Sequence, residues 1–234
     1  MANLKEILSN YNIKVTDKQL KQFDVYFDYL VQENDKYNLT AIKEKDEILY
    51  KHFLDSILPY QSFSENARVV DIGTGAGFPS IPLAILRSDL KFTCVDSVEK
   101  KTNFVFNLAD KLGLKNIEVF HARCEDLAKE PVFREQFDYV VARAVAPLTS
   151  LLEYCIPFIK VGGKFVAYKG TNYNQELENS KNAIKLLSVR EVQTLKYDIK
   201  ELQTTRYCII FEKTAETPKK YPRSQNKARL KPLN

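Results

Sequence analysis

Residues able to do chemistry recur where extended, apolar segments end. The first such segment, residues 68–79, reads Arg-Val-Val-Asp-Ile-Gly-Thr-Gly-Ala-Gly-Phe-Pro. Val69, Val70 and Ile72 have the character of a buried strand. Asp71 sits inside it, and Gly73, Gly75 and Gly77 form a turn before a helical stretch from Ser80 to Leu86. Glycines there let backbone approach a ligand closely and take positive φ, as in nucleotide-binding corners of α/β sheets. Asp96 closes a second apolar segment 23 positions after Gly73. A carboxylate at that point can accept hydrogen bonds from both hydroxyls of a ribose, and Ser97 and Val98 open the turn that follows. After a third segment, Cys124 and Glu125 stand where this fold offers a backbone N–H and an acid to an adenine; an exposed acidic turn is the equal alternative. After a fourth, Arg143 carries a permanent planar cation suited to phosphate, carboxylate or the O6/N7 edge of guanine.

The glycine spacing is G-x-G-x-G, not the G-x-G-x-x-G that receives a pyrophosphate, so a nicotinamide-dependent oxidoreductase is the weakest reading. With an acid two positions before the first glycine, the pattern resembles motif I of the S-adenosylmethionine (SAM) methyltransferases. The fourth segment, Phe137-Asp-Tyr-Val-Val-Ala-Arg-Ala-Val-Ala-Pro147, lacks the Asn/Asp-Pro-Pro-Tyr/Phe run of amino-methylating enzymes. No Pro-Cys dipeptide supplies the thiolate that C5-pyrimidine methylation requires. Guanine N7 exposes a lone pair and carries no proton, so its methylation needs alignment rather than a base or a nucleophile.

Positioning these residues requires a sheet. Strands are expected at 67–72, 91–96, 117–121, 137–142, 163–168, 189–198 and 206–213, the first five alternating with helical stretches and the last two forming an antiparallel hairpin. This is the seven-stranded, mostly parallel, Rossmann-like arrangement of a class I methyltransferase. Residues 1–60 read as a helical cap: Thr16-Asp-Lys-Gln19 resembles a capping box, and Leu20, Phe23, Phe27, Leu30 and Val31 follow at helical spacing. Tyr37-Asn-Leu-Thr40 interrupts it, and a second helix is expected from Asp46 to near Pro59. The expected division is a cap over 1–60, a SAM-binding domain over 61–213 and a basic tail over 214–234.

At 234 residues and 44% apolar composition, the chain can bury a full α/β core. No run approaches the roughly 18 apolar residues of a membrane span, and the N-terminus lacks signal-peptide character, so a cytoplasmic setting is expected. The four cysteines are scattered and only two histidines occur, which offers no metal-site spacing; the cysteines read as small buried hydrophobes. From Lys213 onward seven basic residues face one acid, so the net charge of +5 is a property of the tail. Broken by Pro218, Pro222 and Pro232, the tail is expected to be non-helical and to suit phosphate backbones.

Taken in order, Tyr37-Asn-Leu-Thr40, His52-Phe-Leu-Asp-Ser56, residues 71–82, Asp96-Ser97, Ala142-Arg-Ala144, Gly163-Lys-Phe-Val-Ala-Tyr-Lys-Gly170 and Tyr221-Pro-Arg223 resemble successive signatures of the RsmG (GidB) family. The resemblance covers essentially the whole chain. It implies a bacterial SAM-dependent enzyme that methylates N7 of one guanine in the decoding region of 16S ribosomal RNA, in the small subunit. It further implies that Asp71, Gly73, Gly75, Gly77 and Phe78 form the SAM turn and that Asp96, Ser97 and Val98 serve the ribose. Cys124 and Glu125 would take the adenine, and Arg143, as catalytic and cofactor-binding residue, the cofactor or substrate edge. Phe78 replaces a leucine common in the family, and the tail departs from the usual spacing after Tyr-Pro-Arg. Lys164, Lys169 and Arg223 are the expected RNA contacts, and a monomer is the expected state. Two other functions stay open: methylation of a small molecule, which needs no basic tail, and a non-catalytic RNA binder of ribosome assembly, against which the intact glycine turn argues.

Overall fold

The structure, a computed structural model, describes residues 4–224 and 226–234. Seven strands form one sheet: β1 (Arg68–Ile72), β2 (Lys91–Asp96), β3 (Ile117–His121), β4 (Phe137–Arg143), β5 (Ile159–Lys169), β6 (Val189–Ile199) and β7 (Thr204–Lys213). Their spatial order is β3-β2-β1-β4-β5-β7-β6, with β1 to β5 parallel and β7 antiparallel to both neighbours. The chain starts at β1, winds outward to β3, then returns to the far side of β1 through β4. That reversal opens a crevice at the carboxyl ends of β1 and β4, where ligands bind in open α/β sheets.

The N-terminal helices cover one face. The helix Asp17–Tyr37 begins on the expected capping box: Gln19 N–H donates to Thr16 Oγ1 at 3.3 Å, and Thr16 N–H to Gln19 Oε1 at 2.8 Å. It ends at Asn38 in the left-handed region. Phe23, Tyr26 and Leu30 are fully buried from this helix and belong to one continuous apolar core with Val69 and Phe92 of the sheet and Ile81 of the helix Ser80–Leu86. Residues 4–60 are therefore joined to the sheet by the main core.

The second helical run differs from a plain α-helix. Lys45–Glu47 and Asp55–Ile57 are α-helical, and the seven residues between them, Ile48–Leu54, are π-helical. A π turn is uncommon and sits frequently at functional sites, because it re-aims side chains and carbonyls.

The tail packs on the other face. Tyr221 and Ala228 are buried in the second core cluster with Leu151, Phe158 and Phe211, and Lys227–Leu230 forms one helical turn. The expectation of a non-helical tail is thus corrected by this one turn, and apolar Tyr221 and Ala228 anchor the segment. Among the described residues, no helix is long and apolar enough to cross a membrane, and no cluster of metal-ligating side chains occurs.

Candidate active site

At the end of β1 the glycine turn is stitched to β2: the N–H groups of Gly73 and Thr74 donate to Val95 O at 2.8 and 3.1 Å. Gly73, Gly75 and Gly77 all have positive φ. A Cβ on Gly73 would come within 2.6 Å of Val145, and one on Gly77 within 2.7 Å of Ile81 and 3.1 Å of the Tyr26 hydroxyl. Tyr26 buttresses the turn from the N-terminal helices, donating from Oη to Ala76 O at 2.6 Å.

Asp96 organises the next wall. One carboxylate oxygen accepts from Gly75 N–H and the other from Val98 N–H, each at 3.0 Å, with Lys101 at 3.8 Å. Each oxygen keeps a second lone pair for a ligand hydroxyl. From Asp96 the pocket runs past Ser97 and Val98 to Cys124 and Glu125, and on its other side are Gly73, Ala144 and Val145. Its volume is about 460 Å³, in the range of small-molecule sites. Glu125 is buried, which alone would raise its pKa; its own N–H and Arg123, at 3.0 Å, hold it below the usual carboxylate range. A ribose-sized acceptor, a buried acid and a glycine-floored wall fit a nucleoside cofactor.

Asp71 lies behind the turn, fully buried, and neither carboxylate oxygen has a hydrogen-bond partner among the described residues. Burial raises its pKa to about 7, against the pull of Ser80, Thr74 and Arg143. The Thr74 and Ser80 hydroxyls bond each other at 3.0 Å. Phe78 also faces away from the cofactor pocket. Its ring is stacked on Tyr26 at 5.2 Å and His52 at 4.5 Å, under the Arg143 guanidinium at 5.1 Å. Its place is the joint between turn and cap, not the pocket wall.

A second groove, of about 740 Å³, adjoins the first and shares Ala144, Val145 and Ala146 with it. Arg143 lies in its wall, with its donors largely committed to the protein. Nη1 donates to Lys51 O at 2.8 Å and Asp55 Oδ2 at 2.9 Å, and Nη2 to His52 Nδ1 at 3.2 Å. Of the five guanidinium N–H groups, the one on Nε and one on Nη2 remain outside these three bonds. His52 Nε2 is 2.8 Å from Thr40 Oγ1. Burial first, then the Arg143 charge, lowers the His52 pKa to about 3, so the ring is neutral, accepting at Nδ1 and donating at Nε2. Sequence reasoning quoted Thr40, His52 and Asp55 only within family signatures and gave them no role, and it missed Tyr26, because the helical segment reads as ordinary core. The spacing His52/Asp55 on a run that borders the β4 end was the available signal.

The expected RNA contacts are not brought together. Lys164 pairs in register with Tyr139 and lines a hollow with Ser64 and Asn66, at the amino edge of the strands and away from the crevice. Lys169 does reach the groove, but its ammonium is held by Glu176 at 2.7 Å. Arg223 is spent on the fully buried Glu153 at 2.6 Å. A larger hollow of about 830 Å³, between Gln19, Lys91 and Asn116, also lies at the amino edge and holds none of the expected cofactor residues. All four thiols are raised by burial, Cys94 to about 12, so none is a ready nucleophile.

The family model described as "rRNA small subunit methyltransferase G", GidB, matches residues 19–205. A Brevibacillus brevis protein named ribosomal RNA small subunit methyltransferase G is 47% identical over 232 residues, covering 97% of both chains. One of the same name from Lactobacillus acidophilus is 43% identical over 231 residues, covering 97% of this chain and 96% of its own. Among solved structures, M. jannaschii TYW2 in complex with AdoMet superposes with a TM-score of 0.57 at 16% identity, over 74% of this chain and 79% of that one. A SAM-dependent methyltransferase from Aquifex aeolicus gives 0.55 at 16% identity, over 75% and 97%. These two share the fold. Matched along most of its length by the family model and along nearly all of it by the bacterial relatives, the chain belongs to the rRNA small subunit methyltransferase G (GidB) family.

Proposed function

We propose that the chain transfers a methyl group from SAM to N7 of a specific guanine in 16S rRNA, in the decoding region of the small ribosomal subunit. The observation that carries this reading is the pair of adjoining cavities: a nucleoside pocket built on Gly73, Asp96 and Glu125, and beside it an open groove walled by Arg143. When bound, the cofactor supplies an electrophilic methyl on its sulfonium. The chain's own task is to hold a nucleophile in line with it. Asp96 would hold the ribose, Glu125 with Cys124 the adenine, and the glycine turn the amino-acid end.

The chemistry of the groove supports a substrate that arrives with its lone pair free. His52 is neutral with both nitrogens engaged, the thiols are held protonated, and the groove carboxylates Asp55 and Glu176 are paired with Arg143 and Lys169, so among the described residues the groove offers no free base and no covalent nucleophile. Arg143 acts here as a positioning residue whose two remaining donors suit a guanine O6. An unpaired guanine from a loop of RNA would enter this groove and be held beside the methyl donor. We take the protein to act as a monomer, in the cytoplasm where bacterial ribosomes are.

The test is transfer of labelled methyl from SAM to bacterial small subunits and to their extracted RNA, followed by digestion to nucleosides. Labelled 7-methylguanosine is the expected product. SAM binding without transfer to either substrate would redirect the reading to a small-molecule acceptor; failure to bind SAM would end the enzyme reading.

A further inference from the structure

The tail reaches the cofactor pocket. After β7 the chain crosses the sheet face that carries residues 148–155 and is fastened there. Arg223 forks onto the buried Glu153, with Nε at 2.9 Å from Oε1 and Nη2 at 2.6 Å from Oε2. Arg223 Nη2 also donates to Lys231 O at 2.8 Å, and Ser150 Oγ donates to Ala228 O at 2.8 Å. These anchors set Asn226 and Arg229 at the mouth of the pocket beside Arg123, Glu125 and Tyr154.

The contact is chemically specific. Arg123 Nη2 donates to Glu125 Oε1 at 3.0 Å and also to Asn226 Oδ1, while Nε reaches Glu125 at 3.3 Å. The Arg123 side chain is 46% exposed, so on its own it would sample many rotamers. Asn226 fixes it from outside. Asn226 itself has φ of 57°, a left-handed conformation that asparagine tolerates better than most residues, so the turn delivers its amide to one place.

Resting on the reading that this pocket takes SAM, we infer that Asn226 is a positioning residue for the adenine end of the site. It acts through Arg123 on Glu125, and Arg229 forms the outer wall. The tail thus sets cofactor affinity directly, whatever it does for RNA.

The test is calorimetric titration of SAM into the full chain carrying Asn226→Gly, Asn226→Asp or Asp96→Asn. Glycine keeps the left-handed backbone and deletes the acceptor; aspartate keeps the acceptor. Expected for Asn226→Gly is a Kd weaker by about five- to tenfold, the size of one net hydrogen bond felt through Arg123. Asn226→Asp should retain the original affinity, and both should leave the apo melting temperature and the KM for RNA unchanged. An unchanged Kd in Asn226→Gly, or an equal loss in Asn226→Asp, overturns the inference. Asp96→Asn should weaken SAM binding more than tenfold. If it does while Asn226→Gly does not, only the role of the tail falls; if Asp96→Asn binds SAM normally, the pocket assignment falls and the inference with it.

Discussion

His52 Nδ1 lies 3.2 Å from Arg143 Nη2, which joins the π-helical segment of the N-terminal helices to the end of β4. Because arginine only donates, this bond requires an unprotonated Nδ1. The ordinary histidine pKa of 6.5 falls to about 3 here, from burial and the adjacent cation. The unfolded chain binds a proton at His52 below pH 6.5 and the folded chain does not. Stability from this site is therefore complete above pH 6.5 and lost as pH falls toward 3. Between pH 7 and pH 5 the loss is about 2 kcal/mol. Urea unfolding of the protein and of His52→Gln at both pH values measures it: the difference between them should shrink by that amount at pH 5.

Arg143→Lys keeps the charge and loses the fork. The lysine can reach one of Asp55, Lys51 O and His52 but not all three, so the groove wall loosens while the cofactor pocket stays intact. The expected result is a fall in kcat of about 10²-fold, the size of a misplaced reacting group, with the SAM Kd within about twofold. Single-turnover methyl transfer together with SAM titration separates the two. A matching loss in SAM affinity would place Arg143 on the cofactor instead.

Much of the scaffold was legible in the sequence. The strand positions, the hairpin, the Thr16 capping box and the Gly73/Asp96 pair all follow from local patterns, and the structure carries them at those places. What local pattern does not encode is which distant surfaces meet. His52 and Asp55 become part of the site because the widened helical turn borders β4, 88 residues from Asp55 to Arg143. The family resemblance implied that Phe78 contacts the cofactor, yet the neighbouring Tyr26 and His52 rings draw it into the cap. Charge counting likewise treated Arg223 as available to phosphate, and only the fold reveals Glu153 beneath it.

Gly73→Ala meets two separate obstacles. Its φ of 74° disfavours any L side chain, at about 1 kcal/mol, and the new methyl would stand 2.6 Å from Val145 Cγ2. SAM affinity and melting temperature should both drop. Adding Val145→Ala removes the clash and leaves the backbone cost, so the double variant should recover part of the melting temperature but not all of it. Full recovery would mean that φ at this position carries no weight.

Asp71 has the opposite linkage to His52. Its folded pKa, about 7, is above the ordinary 3.8, so the folded state keeps a proton that the unfolded state has released. The stability this proton gives is complete below about pH 4 and declines as pH rises through 7. Asp71→Asn, neutral at every pH, should be nearly silent only below about pH 4, and its stabilisation relative to the parent should grow by about 2–3 kcal/mol between pH 5 and pH 8. Thermal melts at the two pH values decide it; an equal effect at both would show that desolvation is not what governs this carboxylate.

The tail's cations divide by burial into two kinds with separable consequences. Arg223 neutralises Glu153, whose side chain is wholly buried, so Arg223→Ala strands a charge in the core and should cost about 3–5 kcal/mol of stability. Lys219, Lys220, Lys227 and Lys231 are exposed, and replacing all four with serine removes charge without opening the core. Counterion release then predicts weaker RNA binding and a shallower dependence of log K on log salt, by about 0.7 for each lysine that touches a single-stranded phosphate. The melting temperature and SAM Kd should not move. RNA binding measured at several salt concentrations gives the slope directly: an unchanged slope in the four-lysine variant removes the tail from the RNA interface and leaves it its two structural tasks, sealing the core at Glu153 and steadying Arg123.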